Sequence, residues 1–204
     1  AHRRRVPRGI GLALSGGGFR AMLFHVGALW RLNEIGVLGR LDRVSGVSGG
    51  SFITGVLGVR WTELKYEEGV ATNFRELVAE PLLAFSERLV DLPCILVGLL
   101  PGVSGPALAA GYYRRHLVGD ATLQSFPRHP LFVINAAHLA SGTNWRFSRP
   151  YMGCYRVGRV RAPDLPVSMA MAASSAYPPL LAPFTLRLDP ARVEYTPGAD
   201  LYDV

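Results

Sequence analysis

Two glycine clusters, each placed where a short strand candidate ends, limit the fold of this chain more than any other feature. Ile10 to Leu14 opens directly into Ser15-Gly16-Gly17-Gly18, and Asp42 to Val47 opens into Ser48-Gly49-Gly50. A short apolar run bounded by glycine reads as a buried strand ending in a tight turn. After the first cluster, Arg20 to Ile35 carries Leu23, Val26, Trp30 and Ile35 with further apolar residues between them, which suits a helix largely buried against a sheet, and Gly36 is its stop. After the second, the apolar stretch Phe52 to Val59 forms the next helix. The order strand, glycine loop, helix, strand, serine turn, helix specifies a parallel sheet with helices on its faces, an α/β architecture.

Downstream, Leu64 to Leu89 has mixed helical spacing broken by Pro81, which predicts two helices. Leu92 to Tyr113 holds no charged residue, yet Pro93, Pro101 and Pro106 interrupt it, which argues against a spanning helix and leaves a buried insert or a lipid-facing lid. Leu131 to Ala137 and Asn144 to Ser148 read as strands joined through Ser141-Gly142. Ser168 to Ser174 reads as a small-residue helix that ends before Pro178-Pro179, because the residue before proline is pushed out of helical geometry.

With 204 residues, 49% of them hydrophobic and 18% charged, the chain can bury one sizeable core. Its formal charge of +7 comes from basic residues that are all arginine except Lys65 and are spread along the sequence. The one cluster, Arg3, Arg4, Arg5 and Arg8, marks residues 1–8 as a basic tail that is either solvated or in contact with an anionic membrane. No motif of a nucleic-acid-binding module accompanies the charge, so no nucleic-acid partner is expected. Cys94 and Cys154 lack metal-ligand spacing and read as core thiols; no metal and no cofactor are expected. No secretory leader or transmembrane segment is read, which points to a cytoplasmic or peripheral-membrane protein.

Gly46-Val47-Ser48-Gly49-Gly50 matches GxSxG, in which flanking glycines at Gly46 and Gly50 let the chain turn sharply so that the serine hydroxyl projects from a strand end. Ser48 is therefore the candidate nucleophile. Gly16, Gly17 and Gly18 place backbone N–H groups between a strand end and a helix start, where they suit a developing oxyanion. A nucleotide phosphate loop is the weaker reading, since Gly-Lys-Ser/Thr and dinucleotide glycine spacing are both absent. His25, inside the first helix, reads as a packing residue.

These residues resemble the patatin-like phospholipases, whose paired signatures are a Gly-Gly-Gly-x-Arg loop, here Gly16 to Arg20, and a GxSxG elbow, here Gly46 to Gly50. The resemblance extends to Ala173-Ser174-Ser175-Ala176-Tyr177-Pro178-Pro179 and to Asn144-Trp145-Arg146-Phe147, and spans about Ile10 to Pro183. It implies a three-layer α/β/α fold with a mainly parallel central sheet, a catalytic domain over residues 9–204, and a Ser-Asp dyad that hydrolyses lipid acyl esters at a membrane surface without a metal. By position, Ser48 is the nucleophile, Gly16, Gly17 and Gly18 form the oxyanion hole, and Arg20 supports the loop or contacts phosphate. Ser174 and Ser175 match a structural segment with no chemistry assigned. The family's aspartate sits in Asp-Gly-Gly or Asp-Gly-Ala, and neither triplet occurs. Asp203 lies roughly where that motif is expected, and the reading favoured here is that the dyad aspartate lies beyond Val204.

Two other functions stay open on the residues alone. One is a Ser-His-Asp hydrolase drawing on His116, His129 or His138 with Asp91 or Asp120. The other is a lipid-binding module without catalysis, with the uncharged segment as its docking surface.

Overall fold

The computed structural model describes residues 9–87, 105–177 and 183–195. Strand β1 (Ile10–Leu14) leads through the glycine loop into helix α1 (Gly18–Glu34), and β2 (Leu41–Val47) leads through Ser48 into α2 (Gly49–Arg60). The first helix stops where the glycine predicts it. Gly36 takes φ 68°, a left-handed conformation that L side chains avoid, while Val37 N–H bonds the Leu32 carbonyl and Gly36 N–H that of Asn33.

The stretch after α2 differs from expectation. Tyr66–Glu67 (β3) and Val70–Ala71 (β4) form a small antiparallel hairpin. Its central pair, Glu68 and Gly69, has φ 49° and 84°, the positive values a two-residue hairpin turn requires. Pro81 then breaks nothing: a wide turn over Arg75–Ala79 runs into α3 (Glu80–Ser86), and Pro81 sits in the first turn, where its missing N–H is not needed. Helix α4 (Gly105–Tyr113) is the described part of the uncharged segment; the rest of that segment, with Cys94, lies outside the described residues.

Strands β5 (Leu131–His138), β6 (Thr143–Ser148), β7 (Tyr151–Cys154) and β8 (Gly158–Arg161) complete a six-stranded mixed sheet in the order β1-β2-β5-β6-β7-β8, before α5 (Val167–Ser175). The parallel part, β1-β2-β5, carries both glycine clusters, and β5 to β8 form an antiparallel wing. The fold is thus α/β, its parallel core strands flanked by helices.

Helix α2 organises the core. Every residue from Gly49 to Gly58 is buried, and Phe52, Ile53, Val56 and Leu57 are at most 4% exposed. Burying each such side chain contributes about 1.5–3 kcal/mol, so α2 is held by packing on all sides rather than by one apolar stripe. Small residues set its distances. A Cβ on Gly55 would lie 2.6 Å from Met171 Sδ of α5, and one on Gly58 would lie 2.8 Å from the Phe126 ring. Of the two sequence cysteines, Cys154 is a buried free thiol.

Candidate active site

The turn between β2 and α2 holds Ser48 at φ 52° and ψ −118°, a conformation that costs a non-glycine residue about 1–3 kcal/mol. Neighbouring glycines make room for it. A Cβ on Gly46 would collide with Thr54 Oγ1 and the Gly50 carbonyl, and one on Gly50 would collide with the Leu14 carbonyl. These two positions of the sequence motif are therefore fixed by steric fit, since the strand, the turn and α2 cannot approach this closely around any side chain.

Ser48 is the N-cap residue of α2, a place where a serine hydroxyl ordinarily accepts from the helix's first N–H groups. Here the Ser48 hydroxyl makes no such bond, and among the described residues that hydroxyl has no hydrogen-bond partner. The hydroxyl is thus uncommitted while the backbone around it is tied down. Ser51 donates through Oγ to the Ser48 carbonyl at 2.6 Å, and the Ser48 N–H donates to Ser174 Oγ at 2.8 Å. Ser174 in turn donates to the Asn135 carbonyl on β5 at 2.6 Å. Asn135, the parallel partner of Val47, spends its amide on Ser45 Oγ and the Gly46 carbonyl. Sequence reasoning gave Ser174 no role beyond its motif and missed Asn135 altogether; their contacts with the serine turn cross 126 and about 90 positions of chain.

The first glycine cluster stands against the serine. A Cβ on Gly16 would lie 3.2 Å from Ser48 Cβ and 3.9 Å from Ser48 Oγ. Gly16, Gly17 and Gly18 are exposed, Gly17 and Gly18 at φ 134° and 61°, and the Gly16 and Gly17 N–H groups have no partner among the described residues. The structure thus brings Gly16, Gly17, Gly18, Gly46, Ser48 and Gly50 together. Arg20, in the first turn of α1, is exposed and makes no hydrogen bond or ion pair with the loop among the described residues. Asp203 lies outside the described residues, as does Asp91.

The described histidines are committed elsewhere. His138 Nδ1 lies 2.6 Å from Ser141 Oγ, His129 faces Asp42 at 3.6 Å, and His116 stacks on Tyr112 with ring centroids 4.4 Å apart. Asp120 pairs with Arg114. Asp42 accepts from the Ile10 N–H at the start of β2, roughly 20 Å along the strand from Ser48. Among the described residues, the geometry therefore presents a hydroxyl without a partner beside unpaired N–H donors, with no histidine hydrogen-bonded to it.

A cavity of about 750 Å³, lined by Val47 though not by Ser48 itself, opens between β5, β6 and the end of α5. Val47, Ala136, Trp145, Phe147, Tyr177 and Phe184 are among its lining residues, and Ser174 forms part of its wall. Its size falls within the roughly 300–1,000 Å³ of small-molecule sites, and its lining suits an apolar occupant.

The yeast Saccharomyces cerevisiae has a candidate meiotic phospholipase, SPO1, that is 42% identical over 59 residues, a match covering 29% of this chain and 9% of the yeast protein. Human GIVD cytosolic phospholipase A2, solved with methyl gamma-linolenyl fluorophosphonate and terbium chloride, aligns with 20% identity and a TM-score of 0.49 over 82% of this chain and 30% of its own. A further structure of the same human enzyme aligns at 19% identity and a TM-score of 0.48, over 82% and 28% of the two chains. The chain thus spans less than a third of each of these relatives. Residues 12–199 match the family described as patatin-like phospholipase. That match runs through both glycine clusters and the β1-α1-β2-α2 unit that joins them, and on it the chain belongs to the patatin-like phospholipase family.

Proposed function

We propose that the chain is the catalytic part of a lipid acyl hydrolase in which Ser48 is the nucleophile. The observation that carries the reading is the serine itself: a hydroxyl with no partner among the described residues, held at φ 52° on a strand-to-helix turn and packed against Gly16. Strain kept at a residue whose surroundings over-determine it is a mark of a functional site.

In this reading, Ser48 Oγ attacks the ester carbonyl carbon and an aspartate takes the hydroxyl proton. Asp203 is the candidate base in this chain, and among the described residues no acid hydrogen-bonds Ser48. As the carbonyl becomes an oxyanion, the N–H groups of the Gly16-Gly17-Gly18 loop donate to it, aided by the positive end of α1. The tetrahedral adduct collapses, the C–O bond to the alcohol breaks, and the base returns its proton to the leaving oxygen. Water then hydrolyses the acyl-serine by the same steps. Arg20, without an ion pair among the described residues, contacts a phosphate head group. The cavity lined by Val47 takes the acyl chain, whose transfer out of water contributes about 0.8 kcal/mol per methylene buried. The substrate is then a lipid presented at a membrane surface, and among the described residues no helix is long and apolar enough to cross a membrane.

The test is hydrolysis of p-nitrophenyl esters of short and long chains by the wild type, Ser48→Ala and Asp203→Asn. Turnover abolished in Ser48→Ala is expected, and a strong reduction in Asp203→Asn would assign the base to Asp203. Equal slow turnover by wild type and Ser48→Ala would remove the nucleophile assignment; loss in Ser48→Ala but not in Asp203→Asn would move the base elsewhere.

A further inference from the structure

Beneath the glycine loop, α1 buries an ionisable side chain that the mechanism above does not use. His25 is 6% exposed and packs with Met22, Val26 and Leu29 on the inner face of its helix. Its Nε2 lies 3.1 Å from the Ser15 carbonyl oxygen and 3.3 Å from Ser15 Oγ. Ser15 is its sole hydrogen-bonding residue among the described residues. A carbonyl oxygen can only accept, so the contact places the ring proton on Nε2, and the imidazole is the donor. An apolar side chain would fill the same space without the cost of burying a polar ring, which makes the bond to Ser15 the feature that histidine adds.

Ser15 is the residue that opens the glycine loop. Its carbonyl shares one rigid peptide plane with the N–H of Gly16, and in a trans peptide the two point in opposite directions. With the carbonyl drawn toward α1, the Gly16 N–H is turned away from α1. Gly16 is also the loop residue in contact with Ser48, and its N–H has no partner among the described residues. Three successive glycines leave this loop free to adopt other conformations, including a flipped peptide at Gly16. Oxyanion donors act because they are fixed before charge develops, so a loop of this composition needs a tether.

We propose that His25 is a positioning residue: by holding the Ser15 carbonyl, it aims the Gly16 N–H at the oxygen that becomes negative when Ser48 attacks. The proposal rests on Ser48 being the nucleophile. His25 touches neither substrate nor the reacting atoms, and it acts through the Ser15–Gly16 peptide.

The experiment measures phosphonylation of Ser48 by an alkyl fluorophosphonate, in which a phosphoryl oxygen takes up negative charge as the carbonyl oxygen does. Wild type, His25→Phe and His25→Gln are compared, with Ser48→Ala as blank and thermal unfolding to verify that each variant folds. Phenylalanine keeps the ring and removes the donor; glutamine returns an N–H at nearly the place of Nε2. Expected is a fall of about tenfold to a hundredfold in the limiting rate for His25→Phe, less than or equal to the loss of a whole oxyanion donor, with the half-saturating reagent concentration unchanged. His25→Gln recovers the wild-type rate to within about threefold. A wild-type rate in folded His25→Phe overturns the proposal, as does a glutamine variant that falls as far as phenylalanine, since packing alone then explains the residue. A wild type that is not labelled at Ser48 removes the nucleophile reading instead, a result distinguishable from either.

Discussion

Replacing Ser174 with alanine should damage the site out of proportion to the single oxygen removed. That oxygen accepts the Ser48 N–H at 2.8 Å and donates to the Asn135 carbonyl at 2.6 Å, so its loss strands one donor and one acceptor. A fully buried orphan costs about 1–3 kcal/mol, but Ser48 and Asn135 are half-buried and water can meet part of the demand, which brings the expected total to about 2 kcal/mol. That is comparable to the strain at Ser48, about 1–3 kcal/mol. The bond from Ser174 is therefore large enough to decide whether the strained turn persists, and without it the serine relaxes toward ordinary backbone angles. A displacement on the order of 1 Å at a reacting atom can cost about a hundredfold in rate. Urea denaturation should show Ser174→Ala less stable by about 2 kcal/mol, and ester turnover at saturating substrate should fall by about tenfold to a hundredfold. The neighbouring Ser175→Ala is the control. Its hydroxyl bonds Tyr113 and the Met171 carbonyl within its own helix, away from the serine turn, so it should lose little stability and keep its turnover. Turnover in Ser174→Ala within about twofold of wild type, or an equal fall in Ser175→Ala, would refute the reasoning.

The same geometry makes three further predictions. Gly50→Ala drives a methyl group into the Leu14 carbonyl and should destabilise the fold by about 1–3 kcal/mol in urea, whereas Gly111→Ala, with open space around its Cβ, should not. Ala136→Phe fills part of the cavity lined by Val47 and should lower turnover of long-chain esters at least about tenfold relative to short-chain ones; an unchanged ratio removes the cavity from substrate binding. Burial pushes the Tyr66 phenol up from its ordinary 10.0 to about 12. Because the folded state favours its neutral form, the stability it contributes is complete below pH 10 and is lost as pH rises toward about 12; spectrophotometric titration of Tyr66→Phe should lack one tyrosine that ionises late.

The parts of this fold that are legible in the sequence are those whose pattern is local. β1 is an apolar run that opens into glycine, α1 and α2 are apolar-rich stretches that follow the two glycine clusters, β2 is marked by the motif it runs into, and the steric demands at Gly46 and Gly50 are written in that motif. The hairpin Tyr66–Ala71 is too short to show a period, and its turn signal is the single pair Glu68-Gly69. Strands β7 and β8 are four residues each and pair as Gly153 with Arg159 and Cys154 with Gly158, both glycines at positive φ, so they carry little of the alternation that marks a strand. Ser174 is harder still. Its motif can be seen, but its bond to Ser48 exists only because α5 packs on α2 and β5, where Gly55 lets Met171 approach. His25 looks like any polar residue in an apolar helix until the fold places Ser15 above it. The cavity likewise draws its walls from β2, β5, β6, α5 and residues 183–188, a combination that no stretch of sequence contains.

The most direct measurement is the mass of the peptide that carries Ser48 after the protein is treated with an alkyl fluorophosphonate. The account predicts one adduct, on Ser48, abolished in Ser48→Ala and competed away by a long-chain ester. An adduct on any other serine, or an unmodified Ser48 under conditions that label a known serine hydrolase, would contradict it.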